Sequence, residues 1–415
     1  MPNESVLWRF AEYFIELHGD ADKRCAHGEL LKASCSDVGT GAYHTAEDVL
    51  YGIFNRASCR DEDCLSFGSA IFGYAACIFI HGIARAHAVK PLENAVFDCN
   101  ESGSTLRFFL PIVLALGAKN CTFKGTARLI QRGIGVYDEV FAQNGVKVQK
   151  EADTITVWGR LASGNYTVRG DVSSQYITGL LISLSLLDED STITVIEPFE
   201  SRAYVDITVD VMKKCGVDIQ RADKNVFVVK GGQRFKSGNY TVEGDWSNSA
   251  FLLAFNYIGG EVQVEGLAED SVQGDKVCKR CFEQLECQNA VIDVSDCPDL
   301  APILFAVSAM KSGATFVGTR RLKIKESDRA ETMAEELSKY GIKADIQENS
   351  VTIYGGNLHA PNATISGHND HRIVMANAVI LSKVGGTIDG IEAVKKSYPN
   401  FFEEIAKLGV KYEID

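Results

Sequence analysis

The chain has 415 residues, 46% hydrophobic and 23% charged, which is enough apolar material for two buried cores and rules out a small disulfide-stapled scaffold. Its formal net charge of −13 argues against a general nucleic-acid binder, because that affinity comes mainly from Lys and Arg neutralising phosphates, so any basic site must be local. The twelve cysteines form no paired framework, and no N-terminal stretch combines a basic start, an apolar run and a small-residue cleavage site, so a cytoplasmic location is expected.

Taken in chain order, the first distinctive stretch is Leu65–Ala84, which lacks Asp, Glu, Lys and Arg and is long enough to cross a bilayer. It is isolated and rich in Gly, Ser and Ala, so a buried helix is expected rather than a membrane span. His18, His27, His44, His81 and His87 crowd the same region with Cys25, Cys35, Cys59, Cys64 and Cys77. No Cys-x-x-Cys spacing accompanies them, and no metal site is expected.

From Cys99 onward the chain repeats itself. "SGNYTVRGDVSSQ" (Ser163–Gln175) returns as "SGNYTVEGDWSNS" (Ser237–Ser249). Each copy leads into an apolar helix ("YITGLLISLSLL", "AFLLAFNYIGG") and then an alternating strand ("TITVIE", "EVQVEG"). The same grammar opens at Cys99 ("CNESGSTLRFF"), Asp293 ("DVSDCPDLAP") and Gly367 ("GHNDHRIVMA"). Between these openings lie amphipathic helices followed by strand pairs. Ile207, Val211, Met212 and Cys215 share one helical face before Gly216, and Ala330, Met333, Ala334 and Leu337 do so before Gly341. The unit is a helix-and-strand module of about 70 residues, visible five times, which predicts an α/β (α+β) architecture rather than a solenoid of shorter repeats. An even count would give two similar domains of three modules, but the sixth opening, expected near residue 25, is missing.

Each opening precedes a helix, where unpaired N–H groups and the helix dipole favour an anion. Ser173 and Ser174 read first as helix caps. Arg107, on an otherwise apolar helix, must reach water or meet an anion, and His371 with Arg372 pose the same problem. Asp299 places a carboxylate beside a proline at a helix start. In "RRLKIKESDRAETM", Arg320, Arg321, Lys323, Lys325 and Arg329 gather cations in an acidic chain, and Lys325 beside Glu326 forms a candidate proton-transfer pair. The bland reading of that run is a solvated, salt-bridged helix start.

Taken together, "ESGSTLRF", "SSQYITG", "ESRAYVDITVDVMKKCGV", "PDLAPILFA", "KESDR", "DHRIVMA" and "KKSYPNFFEEIAKLG" resemble, in order, the 3-phosphoshikimate 1-carboxyvinyltransferase (EPSP synthase) family from about residue 90 to the C-terminus. The resemblance implies a two-domain inside-out α/β barrel built from βαβαββ repeats. The expected domains are 20–233 and 234–415, with the active site in the cleft between them. It implies a shikimate-pathway transferase, inhibited by glyphosate, that joins phosphoenolpyruvate to the 5-hydroxyl of shikimate 3-phosphate. No cofactor, metal, nucleic acid or membrane would take part, and a monomer is expected. Phosphoenolpyruvate would be held by Gly103, Ser104, Arg107, Arg132, Gln175, Arg329, Arg372 and Lys396. Shikimate 3-phosphate would meet Ser173, Ser174, Gln175, Ser201 and Tyr204, with Asp299 and Lys325. Asp299, Lys325 and Glu326 would carry the proton transfers.

Residues 1 to about 88 depart from this pattern. The family's Gly/Pro-Ser-Lys-Ser stretch, followed by an arginine that also grips phosphate, has no counterpart in "ADKRCAHGELLKASC". A reading-frame error in the source sequence is the expected cause, and an inactive homologue is the alternative reading of the chain. Arg132 is followed by Gly133 where the family usually has proline, and Arg321 stands where many members place Asn. The sister family acting on UDP-N-acetylglucosamine shares the fold but lacks "KESDR" with "DHR".

Overall fold

A computed structural model describes residues 32–34, 92–236, 239–241, 243–356 and 358–414. The expectations about Leu65–Ala84, the N-terminal histidines and cysteines, the sixth opening and the frame break lie outside the described residues.

The repeat read in the sequence has a defined topology. After strand β1 (Lys32–Ser34), the first module runs β2 (Leu92–Glu93), β3 (Val96–Asp98), α1 (Gly103–Ala115), β4 (Ala118–Lys124), α2 (Ala127–Arg132), α3 (Asp138–Gln143), β5 (Lys147–Lys150) and β6 (Thr154–Gly159). The second runs β7 (Asn165–Arg169), α4 (Ser174–Leu184), β8 (Ser191–Ile196), α5 (Arg202–Lys214), β9 (Ile219–Asp223) and β10 (Val226–Val229). In the second module β7 and β8 are parallel, β8 and β10 antiparallel, and β10 and β9 antiparallel. The first follows the same order through β3, β4, β6 and β5. Parallel neighbours need a crossover, which the helix supplies, whereas the last two strands close as a hairpin.

Further along come β11 (Asn239–Thr241), α6 (Trp246–Leu253) and α7 (Cys278–Gln284). A third full module follows as β12 (Ala290–Asp293), α8 (Ala301–Met310), β13 (Gly313–Val317), α9 (Arg329–Lys339), β14 (Ala344–Ile346) and β15 (Ser350–Tyr354), with the same pairing order. β16 (Ile365–Ser366), α10 (His371–Val384) and β17 (Ile388–Asp389) begin a further copy, and α11 (Phe401–Lys407) closes the chain. Among the described residues these pairings give five separate sheets, β1 pairing with β11 in one of them.

Contacts divide the described residues into two compact units, one through Thr241 and one from Glu243. Each has its own core. The first packs Phe97, Phe123, Ile155 and Val157 with Leu180, Ile193 and Phe227. The second packs Phe251, Leu304, Phe305, Phe316, Met333 and Val379. Ile207, Val211, Met212 and Cys215 are buried as their spacing requires, and Gly216 and Gly341 end the amphipathic helices at φ of 82° and 81°.

The stretch Glu261–Gly266 forms no strand, contrary to its alternating pattern. The side chain of Asn256 takes the hydrogen bonds a neighbouring strand would have taken: it accepts from Val262 N at 2.6 Å and donates to Val262 O at 2.9 Å. No helix among the described residues is long and apolar enough to cross a membrane.

Candidate functional site

The polar openings are first of all helix caps. Ser102 Oγ accepts from Thr105 N, Ser173 Oγ from Gln175 N, Asp245 from Ser247 N and Asn248 N, and Asp370 from Arg372 N. Capping frees the next side chains from backbone duty and fixes where they start.

In the first unit this places Gln175 against α1. Arg107 Nη1 donates to Gln175 Oε1 at 2.6 Å, and Gln175 Nε2 donates to Ser104 Oγ at 2.9 Å. Arg107 is 5% exposed, and its guanidinium lies 5.2 Å from the Tyr176 ring centroid, so it meets a side-chain amide and a π-face rather than bulk water. Gly103 leaves room beside it: a Cβ there would stand 2.9 Å from Arg107 Nη1, so the guanidinium would have to move. Tyr176 OH also donates to Gly133 O at 3.0 Å, tying α4 to the turn that follows Arg132. That turn has φ 70° at Gly133, which proline cannot adopt. Ser201, buried and at φ 54°, heads α5, and Tyr204 lies one turn on. The two helices meet through Thr178 Oγ1 and Thr208 Oγ1 at 2.8 Å.

In the second unit, residues from two openings and from the charged run before α9 form one charged network. Asp299 receives Lys325 Nζ at 3.0 Å, Arg329 Nη1 at 2.8 Å and Arg372 Nη2 at 3.3 Å. Arg329, only 1% exposed, also donates to Glu326 Oε2 at 2.7 Å and through Nε to Asp370 Oδ2 at 2.9 Å. Lys325 and Glu326, adjacent in sequence, therefore serve different partners. Lys396 Nζ donates to Asn369 O at 3.0 Å, one residue before Asp370.

Burial sets the proton affinities here, and the neighbouring charges decide their sign. Burial alone would raise the Asp299 carboxyl, but Arg372, Lys325 and Arg329 hold it well below the usual range. Glu326 and Asp370 are likewise lowered against burial, chiefly by Arg329. Burial lowers Lys325, and Arg329 and Arg321 add to the effect. His371 is pushed down to about 4 by burial and by Arg372, so it is neutral at pH 7.

The sequence reading missed Asp370, Asp245, Ser247 and Asp275. Asp370 is fully buried; it bonds the Arg329 guanidinium directly and caps the backbone N–H of Arg372. Ser247 Oγ accepts from Arg372 Nη1 at 2.7 Å. Only the cap positions of Asp245 and Asp370 could have flagged them, and a cap is the ordinary use of aspartate.

Glu335, Glu336 and His368 lie close enough to suggest a metal, yet the Glu336 carboxylate is already taken by Lys339, His368 and Ser366 N.

Two units of repeated βαβαββ modules, with arginine, lysine, hydroxyls and carboxylates at their helix openings, define an α/β protein. The sequence model of EPSP synthase (3-phosphoshikimate 1-carboxyvinyltransferase) matches residues 74–405, and the chain belongs to that enzyme family. The Clostridium kluyveri 3-phosphoshikimate 1-carboxyvinyltransferase is 40% identical over 352 residues, covering 80% of this chain and 81% of its own. The Clostridium novyi enzyme of that name is 39% identical, covering 77% and 78%. The solved EPSP synthase of Acinetobacter baumannii shares the fold with a TM-score of 0.63 at 22% identity, covering 77% and 80%. The family match starts upstream of residue 90, where the motifs begin, and leaves the first 73 residues unmatched.

Proposed function

We propose that this chain transfers the enolpyruvyl group of phosphoenolpyruvate to the 5-hydroxyl of shikimate 3-phosphate, in the cytoplasm and as a monomer. The products are 5-enolpyruvylshikimate 3-phosphate and inorganic phosphate. The observation that carries the reading is the Asp299 network, in which one carboxylate is held by Lys325, Arg329 and Arg372.

Addition requires a proton on C3 of the enol while the 5-hydroxyl oxygen bonds to C2 and loses its own proton. Elimination then removes a C3 proton and expels phosphate. Asp299 is the base for the hydroxyl. With three cations on it the carboxylate binds protons poorly; substrate anions that engage Arg329 and Arg372 weaken that hold and raise its basicity. Lys325, whose ammonium is acidified by burial, and Glu326 serve the transfers at C3. Arg107, Arg132, Arg329, Arg372 and Lys396 hold the anionic groups of phosphoenolpyruvate, with Gly103, Ser104 and Gln175 beside them. Ser173, Ser174, Gln175, Ser201 and Tyr204 offer hydroxyls and an amide to shikimate 3-phosphate.

Phosphate release is the test. The wild-type chain with both substrates is expected to release phosphate at least a hundredfold faster than Asp299→Ala, about the lower limit for loss of a general base. Equal rates would overturn the reading. Binding of both substrates without turnover would identify the inactive homologue instead.

A further inference from the structure

The turn between β16 and α10, residues 367–370, carries two groups of the candidate site. Asn369 O accepts from Lys396 Nζ at 3.0 Å, and Asp370 bonds Arg329 and caps α10. The turn presents them from an uncommon backbone. His368 and Asn369 both lie in the left-handed region, at φ of 49° and 51°. A residue with a Cβ enters that region at a cost, and singly rather than in succession. Backbone bonds fix the two ends of the turn: Gly367 N donates to Asp389 O at 3.0 Å and Asp370 N to Gly367 O at 2.9 Å. Its middle is tied down by a side chain.

The anchor is Glu336, on α9 and completely buried. Its carboxylate accepts from Ser366 N at 2.9 Å, from His368 Nε2 at 2.8 Å and from Lys339 Nζ at 3.0 and 2.8 Å. A carboxylate bridged by an ammonium only accepts, so the imidazole donates from Nε2. Arg329 opens α9 and Glu336 follows two turns later on the same face. One rigid helix therefore holds the turn at two points, Asp370 through Arg329 and His368 through Glu336. Asp370 is further secured by Ser327 Oγ at 3.0 Å, whereas the Asn369 carbonyl takes its direction from the left-handed pair.

We propose that His368 is a positioning residue: bonded to Glu336, it holds the left-handed turn that keeps Asn369 O against Lys396, and so sets where that lysine meets phosphoenolpyruvate. The inference rests on the assignment of Lys396 to phosphoenolpyruvate in the proposed function. Without the imidazole the turn relaxes out of its costly conformation and the carbonyl turns away from Lys396. The ammonium then samples more rotamers, and a bound anion has to restrict them again. His368 acts through Lys396 and not on the reacting atoms, so the effect falls on phosphoenolpyruvate rather than on the proton transfers. The His368 side chain keeps 21% of its surface in water, so the ring can be replaced without opening the core.

The test is phosphate release by the full chain, with phosphoenolpyruvate varied at saturating shikimate 3-phosphate. His368→Ala is expected to raise KM for phosphoenolpyruvate about three- to tenfold, the range for one lost hydrogen bond, and to change kcat by about twofold at most. His368→Gln, whose Nε2 stands as many bonds from Cα as that of histidine, should restore the wild-type KM. His368→Gly also lacks the imidazole but adopts left-handed φ readily, so its KM should fall between those of alanine and wild type; a packing defect would make glycine the worst of the three. The deciding comparison is a cycle with Lys396→Ala. Once the lysine is gone, removing His368 should raise KM no further. Additive losses, a wild-type KM in His368→Ala, or a loss confined to kcat overturn the inference and leave the proposed function standing. Should His368→Ala fail to fold, the same cycle run with His368→Gly decides. No phosphate release by wild type, or a wild-type KM in Lys396→Ala, removes the assignment beneath the inference and the inference with it.

Discussion

At Arg329 one guanidinium meets Asp299, Glu326 and Asp370, and nearly all of it is buried. Such a group is held because each of its three nitrogens has an anionic acceptor; a lysine would offer a point charge in place of the fork. Asp370 is the wholly buried acceptor among the three, and it also caps α10. Asp370→Asn keeps its shape and removes its charge. It should destabilise the second unit by about 3 kcal/mol, the scale for breaking a buried pair from one side, measured by urea unfolding. An unchanged midpoint would mean that Arg329 is balanced by the other two carboxylates alone. Substrate contacts are a separate matter. Arg372→Ala and Lys396→Ala should each weaken phosphoenolpyruvate about tenfold to a hundredfold, from the loss of roughly 1.5–3 kcal/mol per charge-assisted contact. Shikimate 3-phosphate should change less, and equal losses for the two ligands in calorimetry would refute the assignment.

Among the elements, α1 and α4 decide how the first unit presents Arg107 and Gln175. They cross at Gly179, where an added Cβ would run into Tyr137 OH and the carbonyl of Arg107. The same hydroxyl lies 2.7 Å from Arg107 O and 3.0 Å from Tyr176 O, so the crossing is pinned by a buried polar contact as well as by close packing. Gly179→Ala should therefore cost roughly 1–3 kcal/mol in unfolding, the range for overpacking. It should also loosen phosphoenolpyruvate, because spreading the helices separates Arg107 from Gln175; full stability in the variant would show that the crossing yields easily. The Gly179 contact was invisible in the sequence, where the glycine sits inside an apolar run with no turn or cap to mark it. What could be read was whatever periodicity or charge imposes. The amphipathic faces of α5 and α9 came from spacing, and Arg107, Asp299, Lys325, Arg329 and Arg372 stood out because charge on an apolar helix start demands an explanation. Asp245, Ser247, Asp275 and Asp370 did not stand out, since aspartate and serine at a helix start satisfy a local rule on their own. Their second partners lie far along the chain: Ser247 and Arg372 meet only because α6 and α10 do.

For the molecule as a whole, the acidic net charge and the local basic site leave stability sensitive to a few buried groups whose signs oppose one another. Asp299, Glu326 and Asp370 have lowered proton affinities in the folded state, so their contribution is complete at neutral pH and is lost as pH falls from the ordinary carboxylate values down through the lowered ones. His371 is held to about 4 against an ordinary value of 6.5. The unfolded chain therefore gains its proton first, and stability drops as pH falls from 6.5 to 4. Asp275 works in the opposite direction. Raised to about 7 from 3.8, it binds its proton earlier in the folded state, so stability rises as pH falls through 7 towards 4. Each effect is on the order of 3 kcal/mol if fully realised, and over that window they nearly cancel. The second unit should therefore keep a flat stability from pH 7 to about 4.5 and lose it steeply below 4. Asp275→Asn removes one side of the balance, so its stability should already fall below pH 6.5 through His371 alone, while at pH 8 it should match or exceed wild type. Urea unfolding followed by the buried Trp246, in a background where Trp8 and Trp158 are phenylalanine, reads the second unit by itself. A variant curve as flat as wild type would mean that His371 does not gain its proton on unfolding in that window, and the compensation would have to be discarded.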